Sequence, residues 1–288
     1  MYRTEPAKGG PKARGARWFA THSLLLVATL LVAAPLLWMV SMALQDLQAV
    51  FSYPPKLLPW PPKWGNFAEA WRAQPFAVFY FNSVVVAVAI IVGQLVTVCL
   101  AAYALTQLRF WGREKVFLLI LATMMVPAQV TFVPAFLVLK HLGWINTYQA
   151  LIVPFLTSAF GIFLVRQSFL RVPQSFIDSA RVDGAGHLRI LWSIMVPLSK
   201  PSLATMVLLN FVWHYHDFFW PLVVTNSTDM RTLPIGLAFF LANQGGGEGT
   251  PWHLIMAADV FIVAPLILLY FVAQRFITQN DLASGMKG

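Results

Sequence analysis

The stretch HYHDFFWP, residues 214–221, gathers side chains able to hold a small polar molecule inside an otherwise apolar run. His214 and His216 suggest a metal, but side chains two apart on a helix point in different directions, and no cysteine lies near to complete a ligand set. Asp217 carries more weight. An acid within an apolar span is costly, so it faces a bundle interior or a cavity, and His214, three residues earlier, shares its helical side. Trp213, Tyr215, Phe219 and Trp220 cluster around it, and flat rings cover the apolar faces of sugars while polar groups take the hydroxyls. Trp213, His214, Asp217 and Trp220 are therefore the candidate substrate pathway. A second reading stays open, in which His214 and Asp217 are a buried hydrogen-bonded pair and the aromatics are packing and interfacial belts. Asp259, nearer the end of its own run, reads as solvated at an interface.

A different chemistry is suggested by SFIDSARVDGAGHLRILWSIMVPLSKP, residues 175–201. Pro173 suits a first helical position, QSFIDSARVD forms a short helix, and Gly184 and Gly186 permit a sharp break. On that helix Phe176, Ala180 and Asp183 share a side by their spacing. HLRILWSIMV then makes a second short helix leading to Pro197 and Pro201. The product is an elbow whose small residues, Ser179, Ala180, Gly184 and Ala185, let another surface come close. An amphipathic helix lying on a bilayer is the competing reading of HLRILWSIMV.

Composition says what must position these groups. Apolar residues make up 58% of the 288-residue chain and charged ones 11%, with mean hydropathy +0.68. A soluble domain of this size could not hide that much apolar surface, so the solvent is lipid. Candidate spans run over 18–43, 77–106, 116–140, 147–169, 202–225 and 254–274, each near or above the ~20 residues needed to cross hydrocarbon. Five contain proline: Pro35, Pro127 with Pro134, Pro154, Pro221 and Pro265. Proline in a membrane helix is either a kink beside a pathway or simply tolerated. The basic arm RTEPAKGGPKARGAR precedes the first span, and the long run after it reads as an attached helix rather than a cleaved leader.

Of the 20 Lys and Arg residues, all but Lys56, Lys63, Arg72, Lys140 and Arg231 fall on one side of the six spans. Cytoplasmic loops carry the basic excess, so both termini and the elbow are expected in the cytoplasm. The net charge of +9 thus follows from topology, and nucleic-acid binding is set aside because no basic face is gathered. Cys99 has no partner cysteine, which excludes a disulfide. No G-x-x-x-x-G-K-[ST] loop exists, so energy must come from a partner. No nucleophile and base pair suggests an enzyme.

DSARVDGAG followed by ILWSIMVPLSKPSLAT resembles the Glu-Ala-Ala loop of the permease subunits of ABC importers. MMVPAQVTFVPAFLVLKHLGWINTYQALIVPFL, FGIFLVRQSFLRVP, HDFFWPLVVT and the terminal LASGMKG are similar to its carbohydrate-uptake class, the branch of the smaller maltose-type permease. The likeness runs through nearly the whole chain. The Glu-Ala-Ala falls on Asp178, Ser179 and Ala180, with an acid one methylene shorter and a hydroxyl on the first alanine. The Asp-Gly-Ala falls on Asp183, Gly184 and Ala185, and Pro197 lies in the Pro-Leu pair that follows. The resemblance implies that these residues couple to an ATPase, whose groove receives the short helix.

The expected architecture is all-α: a basic arm over 1–17, a six-helix permease domain over 18–274 with the coupling loop 171–201 between helices 4 and 5, and a tail over 275–288. The resemblance further implies a prokaryotic inner membrane, a second homologous permease, two ATPase subunits that bring ATP and Mg, and an extracytoplasmic binding protein. This chain itself is expected to hold no cofactor. A sugar or oligosaccharide is the expected substrate, with glycerol 3-phosphate the alternative in the same family. An ion-coupled secondary transporter using Asp217 is the alternative of another class.

Overall fold

The computed structural model describes residues 11–243 and 250–277, and all regular structure in them is helical. The start of the basic arm, most of NQGGGEG and the tail with LASGMKG lie outside the described residues. Contacts divide the chain into two compact units, residues 1–70 with 247–260 and residues 71–246 with 261–288.

In the first unit α1 (Pro11–Ala43) starts before the expected Trp18 and carries Pro35 inside it. After α2 (Leu47–Val50), the side chain of Asn66 in α3 (Gly65–Ala73) donates to the carbonyls of Ala43 and Gln45, both at 2.8 Å. A helix leaves its last carbonyls without partners, and Asn66 supplies a donor to one of them at the end of α1.

The second unit is organised on α4 (Phe76–Gln107), an unbroken apolar helix without internal proline. It is followed by α5 (Arg113–Thr123), α6 (Ala128–His141), α7 (Tyr148–Ile152) and, after a 3-10 turn at Val153–Phe155, α8 (Ala159–Phe169). The elbow contributes α9 (Gln174–Val182), α10 (His187–Ile190) and α11 (Val196–Leu198). Then come α12 (Lys200–Tyr215), α13 (Phe219–Val224), α14 (Leu233–Asn243) and α15 (Trp252–Ile277), of which the part from Phe261 onward belongs to this unit. α4 packs against α7, α8, α12 and α14. Gly161 makes one of these approaches possible, because a Cβ there would meet Met206 Sδ at 3.0 Å and Val98 Cγ2 at 3.1 Å.

Among the described residues, three helices are long and apolar enough to cross a membrane: Trp18–Ala43, Phe76–Gln107 and Trp252–Val272. The other three expected spans are broken. Arg113–Thr123 and Ala128–His141 meet at 96°, Tyr148–Phe155 and Ala159–Phe169 at 41°, and His187–Leu198 and Lys200–Tyr215 at 81°. Two of the breaks have a local cause in proline. Pro127 disfavours helical geometry at Val126, which lies outside both helices, and itself stands at the N-cap position of α6. Before Ser199 the chain widens into a π turn over Leu191–Met195, just ahead of Pro197, which has no N–H to continue the ladder. The run 202–225, expected as one helix, ends at Tyr215 and resumes only at Phe219.

Candidate functional site

The elbow forms where expected, but its inward side differs from the one the spacing suggested. Ile177 is fully buried in a core cluster with Phe169, Ile190, Leu191 and Met195, and Ala180 and Ala185 pack against that cluster. Phe176 and Asp183 are exposed instead of sharing the side of Ala180. Helical spacing names neighbours on one surface; packing against α4 and α8 decides which surface turns inward. The small residues Ala180 and Ala185 thus bring the elbow close to this chain's own core.

Gly184 closes α9. Its φ is +77°, its N–H donates to the Arg181 carbonyl at 3.0 Å, and the Ala185 N–H donates to the Ala180 carbonyl at 2.9 Å. These two bonds are the Schellman arrangement, which needs a left-handed residue that glycine adopts without strain. Gly186, by contrast, has an ordinary φ of −72°. On the outer surface Asp178 accepts from Gln174 at 3.0 Å, the Ser179 hydroxyl donates to the Ser175 carbonyl at 2.9 Å, and Asp183 and Gly184 are open. Between them Phe176, Val182 and Leu188 present apolar side chains, Val182 at 88% exposure. Pro197 is half-buried beyond the π turn, away from this surface in sequence.

Two ties that sequence reasoning missed fix the elbow end. The Tyr103 hydroxyl on α4 is 2.9 Å from His187 Nδ1 on α10. Arg166 on α8 reaches both carboxylate oxygens of Glu114 on α5 at 3.2 Å, and its guanidinium lies 4.0 Å from the Phe117 ring centroid. The only sequence signal for the second was a basic residue placed inside the apolar FGIFLVRQ.

HYHDFFWP is divided by the break after α12. Trp213 and His214 line a cavity of about 730 Å³ together with Gln94, Thr157, Ser158 and Asn210. His214 and Asp217 do not share a side, because the helix ends between them. The Asp217 carboxylate caps α13 instead, accepting from the backbone N–H of Phe219 at 3.2 Å and of Trp220 at 3.4 Å. Pro221 comes next and has no N–H, so the capped residues were the donors needing a partner at this helix start. Trp220 is buried at 4% exposure, donating from Nε1 to the Ala150 carbonyl at 2.9 Å between the rings of Phe132 and Phe155. His216 is exposed, and no cluster of three or more metal-ligating side chains occurs among the described residues.

This geometry separates the two uses of Asp217. Asn caps a helix about as well as Asp, whereas Ala removes the acceptor at roughly 0.5–2 kcal/mol. Asp217→Asn is expected to keep both melting temperature and uptake of the purified, reconstituted complex, and Asp217→Ala to lower the melting temperature. A loss of uptake by Asp217→Asn at unchanged melting would return the charge to the pathway.

The model of a family described as binding-protein-dependent transport system inner membrane component matches residues 97–280, a stretch that includes the elbow and the cavity-lining part of α12. The chain belongs to this family. It is a transmembrane permease subunit of a binding-protein-dependent importer. Among its relatives, the sn-glycerol-3-phosphate transport system permease protein UgpE of Yersinia enterocolitica is 34% identical over 266 residues, covering 90% of this chain and 94% of its own. The protein of the same name in Brucella abortus is 32% identical over the same shares.

A solved bacterial ABC transporter involved in the import of the acidic polysaccharide alginate contains a chain 26% identical to this permease. The match covers 94% of this chain and 99% of that one, with a TM-score of 0.82. A chain of the alginate transporter in complex with a periplasmic protein bound to an alginate pentasaccharide shares the fold, with a TM-score of 0.61 at 16% identity over 91% and 94% of the two chains.

Proposed function

We infer that this permease forms half of the translocation pathway of an ATP-driven ABC importer for a sugar or oligosaccharide delivered by an extracytoplasmic binding protein. The observation that carries the reading is the elbow. Ile177 anchors it from within, while Phe176, Val182 and Leu188 surround the open edge made by Asp178, Ser179, Asp183 and Gly184. An apolar surface beside polar groups on a rigidly seated helix suits a protein groove better than a bilayer, which has no use for a closed glycine turn. Its partner is an ATPase subunit of a pair, bringing ATP and Mg. A second, homologous permease completes the pathway, Ala180 and Ala185 hold the coupling loop 171–201 from inside, and Pro197 belongs to the same loop after the π turn.

In this reading the three bent pairs count as one span each, giving six, with a basic arm over 1–17, the permease domain over 18–274 and a tail over 275–288. Both termini are cytoplasmic in a prokaryotic inner membrane, following the basic-residue asymmetry. Glycerol 3-phosphate is the second substrate reading, favoured by the name of the 34% identical relatives.

Copurification with mass spectrometry tests the assembly. A tagged chain is expected to bring down an ATPase and a second permease, and uptake by the reconstituted assembly is expected to require ATP. Recovery of the chain alone, with uptake driven by an ion gradient, would reject the ABC importer in favour of a secondary transporter.

A further inference from the structure

The connection from α4 to α5, LRFWGREK over 108–115, belongs neither to the cavity beside His214 nor to the elbow. Gly112, at φ +81°, turns the chain just before α5, a conformation that glycine adopts without strain. Residues 109–115 line a shallow depression of about 650 Å³ around that turn. Trp111 is 92% exposed and Phe110 43%, so neither ring is held by packing within this chain.

Charge in the depression is one-sided. Arg109, Arg113 and Lys115 stand beside a single acid, Glu114, and that acid is already engaged: Arg166 reaches both its oxygens at 3.2 Å and Arg113 one of them at 3.3 Å. Among the described residues, Arg109 and Lys115 form no ion pair. The Lys115 ammonium lies 5.5 Å from the centroid of the Trp111 ring, whose face attracts the cation and leaves it N–H groups for an anion.

The surroundings decide which anion fits. Lys115 shares a side of α5 with Leu118 and Leu119, three and four residues on, which are 62% and 67% exposed. The cations therefore stand at the head of an open apolar side, which in a membrane chain meets acyl chains. They also lie just beyond the end of α4 where Tyr103 meets His187 of the elbow, and hence on the elbow's side of the membrane. Tryptophan favours the level of the lipid headgroups, and basic clusters at the cytoplasmic surface draw anionic lipid. A soluble anion would satisfy the cations alone, whereas a phospholipid also covers Trp111, Leu118 and Leu119.

We propose that Arg109, Trp111 and Lys115 form a binding site for the headgroup of an anionic phospholipid of the cytoplasmic leaflet, with an acyl chain lying along Leu118 and Leu119. The assignment of the leaflet rests on the cytoplasmic placement of the elbow given above; the site itself goes beyond the transport reading.

The test is lipid binding to the purified, delipidated complex, followed by native mass spectrometry. The probes are dioleoyl phosphatidylglycerol, dioleoyl phosphatidylcholine and inorganic phosphate. The unmodified complex is expected to retain phosphatidylglycerol in preference to phosphatidylcholine and to keep it when phosphate is added. Arg109→Gln with Lys115→Gln is expected to weaken phosphatidylglycerol binding roughly thirtyfold, the worth of two cations at an anionic surface, and to leave phosphatidylcholine binding unchanged. Trp111→Ala is expected to weaken the binding of both lipids. Arg72→Gln with Lys140→Gln removes the same charge from exposed positions elsewhere and is expected to change neither. Equal losses in the two double variants would reduce the site to net charge, and displacement of the lipid by phosphate would make it a soluble-anion site; either overturns the proposal. Unchanged lipid binding with loss of the ATPase subunits from Arg109→Gln/Lys115→Gln would give the patch to the ATPase instead. Sidedness is read separately, from labelling of Trp111→Cys by a membrane-impermeant maleimide. Labelling from outside intact cells would overturn the topology and the choice of leaflet, whereas loss of lipid preference with labelling only from the cytoplasmic side supports both.

Discussion

Gly184→Val is expected to leave the permease inserted and paired but to abolish stimulation of ATP hydrolysis by substrate-loaded binding protein. Space is not the reason, since nothing lies within 4 Å of a Cβ built at Gly184. The backbone is. At φ +77° a β-branched residue is a genuine outlier, at a cost of about 1–3 kcal/mol. The chain relieves it by giving up the paired bonds from Gly184 and Ala185 that close α9. Ala185 then leaves the core beside Ala180, and the outer edge carrying Asp178, Val182 and Asp183 loses its fixed position. Two controls separate this from general damage. Gly186→Val sits at φ −72° with equally open space and is expected to behave as unmodified. Gly184→Asn, able to take the left-handed conformation, is expected to retain most coupling. Stimulated hydrolysis and ATPase retention in nanodiscs are the measurements. Full stimulation in Gly184→Val would mean that ATPase docking does not depend on the closed turn.

The second large effect distinguishes two tryptophans seven positions apart. Trp220→Ala is expected to destabilise the purified complex severely, by about 3–5 kcal/mol, because it empties a buried site and strands the Ala150 carbonyl. Phe132 and Phe155, which now stack edge-on against the indole, would lose their common partner. Trp213→Ala is expected to leave melting almost unchanged, because that ring is 73% exposed, and to reduce uptake instead. Thermal unfolding of the purified complex followed by size-exclusion chromatography reads the first effect, and proteoliposome uptake reads the second. Equal melting of the two variants would place Trp220 among the exposed pathway groups, contrary to its packing.

The separation of these two residues exposes where sequence reasoning is weak in a membrane chain. Trp213, His214, Asp217 and Trp220 lie within one apolar run, and a single helix through them was the natural expectation. The break after Tyr215 sends them to different places, with Trp213 and His214 at the cavity, Asp217 capping a helix and Trp220 serving as a buried anchor. Pro221 was visible as a signal. Proline is tolerated so widely in membrane helices, however, that it does not announce a break.

What the sequence determined by itself follows from local and compositional physics. An apolar content of 58% with sparse charge requires lipid, and continuous apolar runs near the ~20 residues that a spanning helix needs, rather than short alternating ones, require helices there. DSARVDGAG allowed a short helix stopped sharply at Gly184 or Gly186, and of the two Gly184 takes the left-handed geometry. Tertiary structure alone decided which sides of those helices face one another. In water an apolar stripe marks the buried side, but lipid is as apolar as the core, so α4 carries no stripe that singles out its inward side. Gln94, Tyr103 and Arg166 acquired their partners His214, His187 and Glu114 across 120, 84 and 52 residues of chain. Such meetings depend on how distant helices pack, and glycine at 161, which admits α8 to Val98 and Met206, is as much their cause as the polar groups that meet.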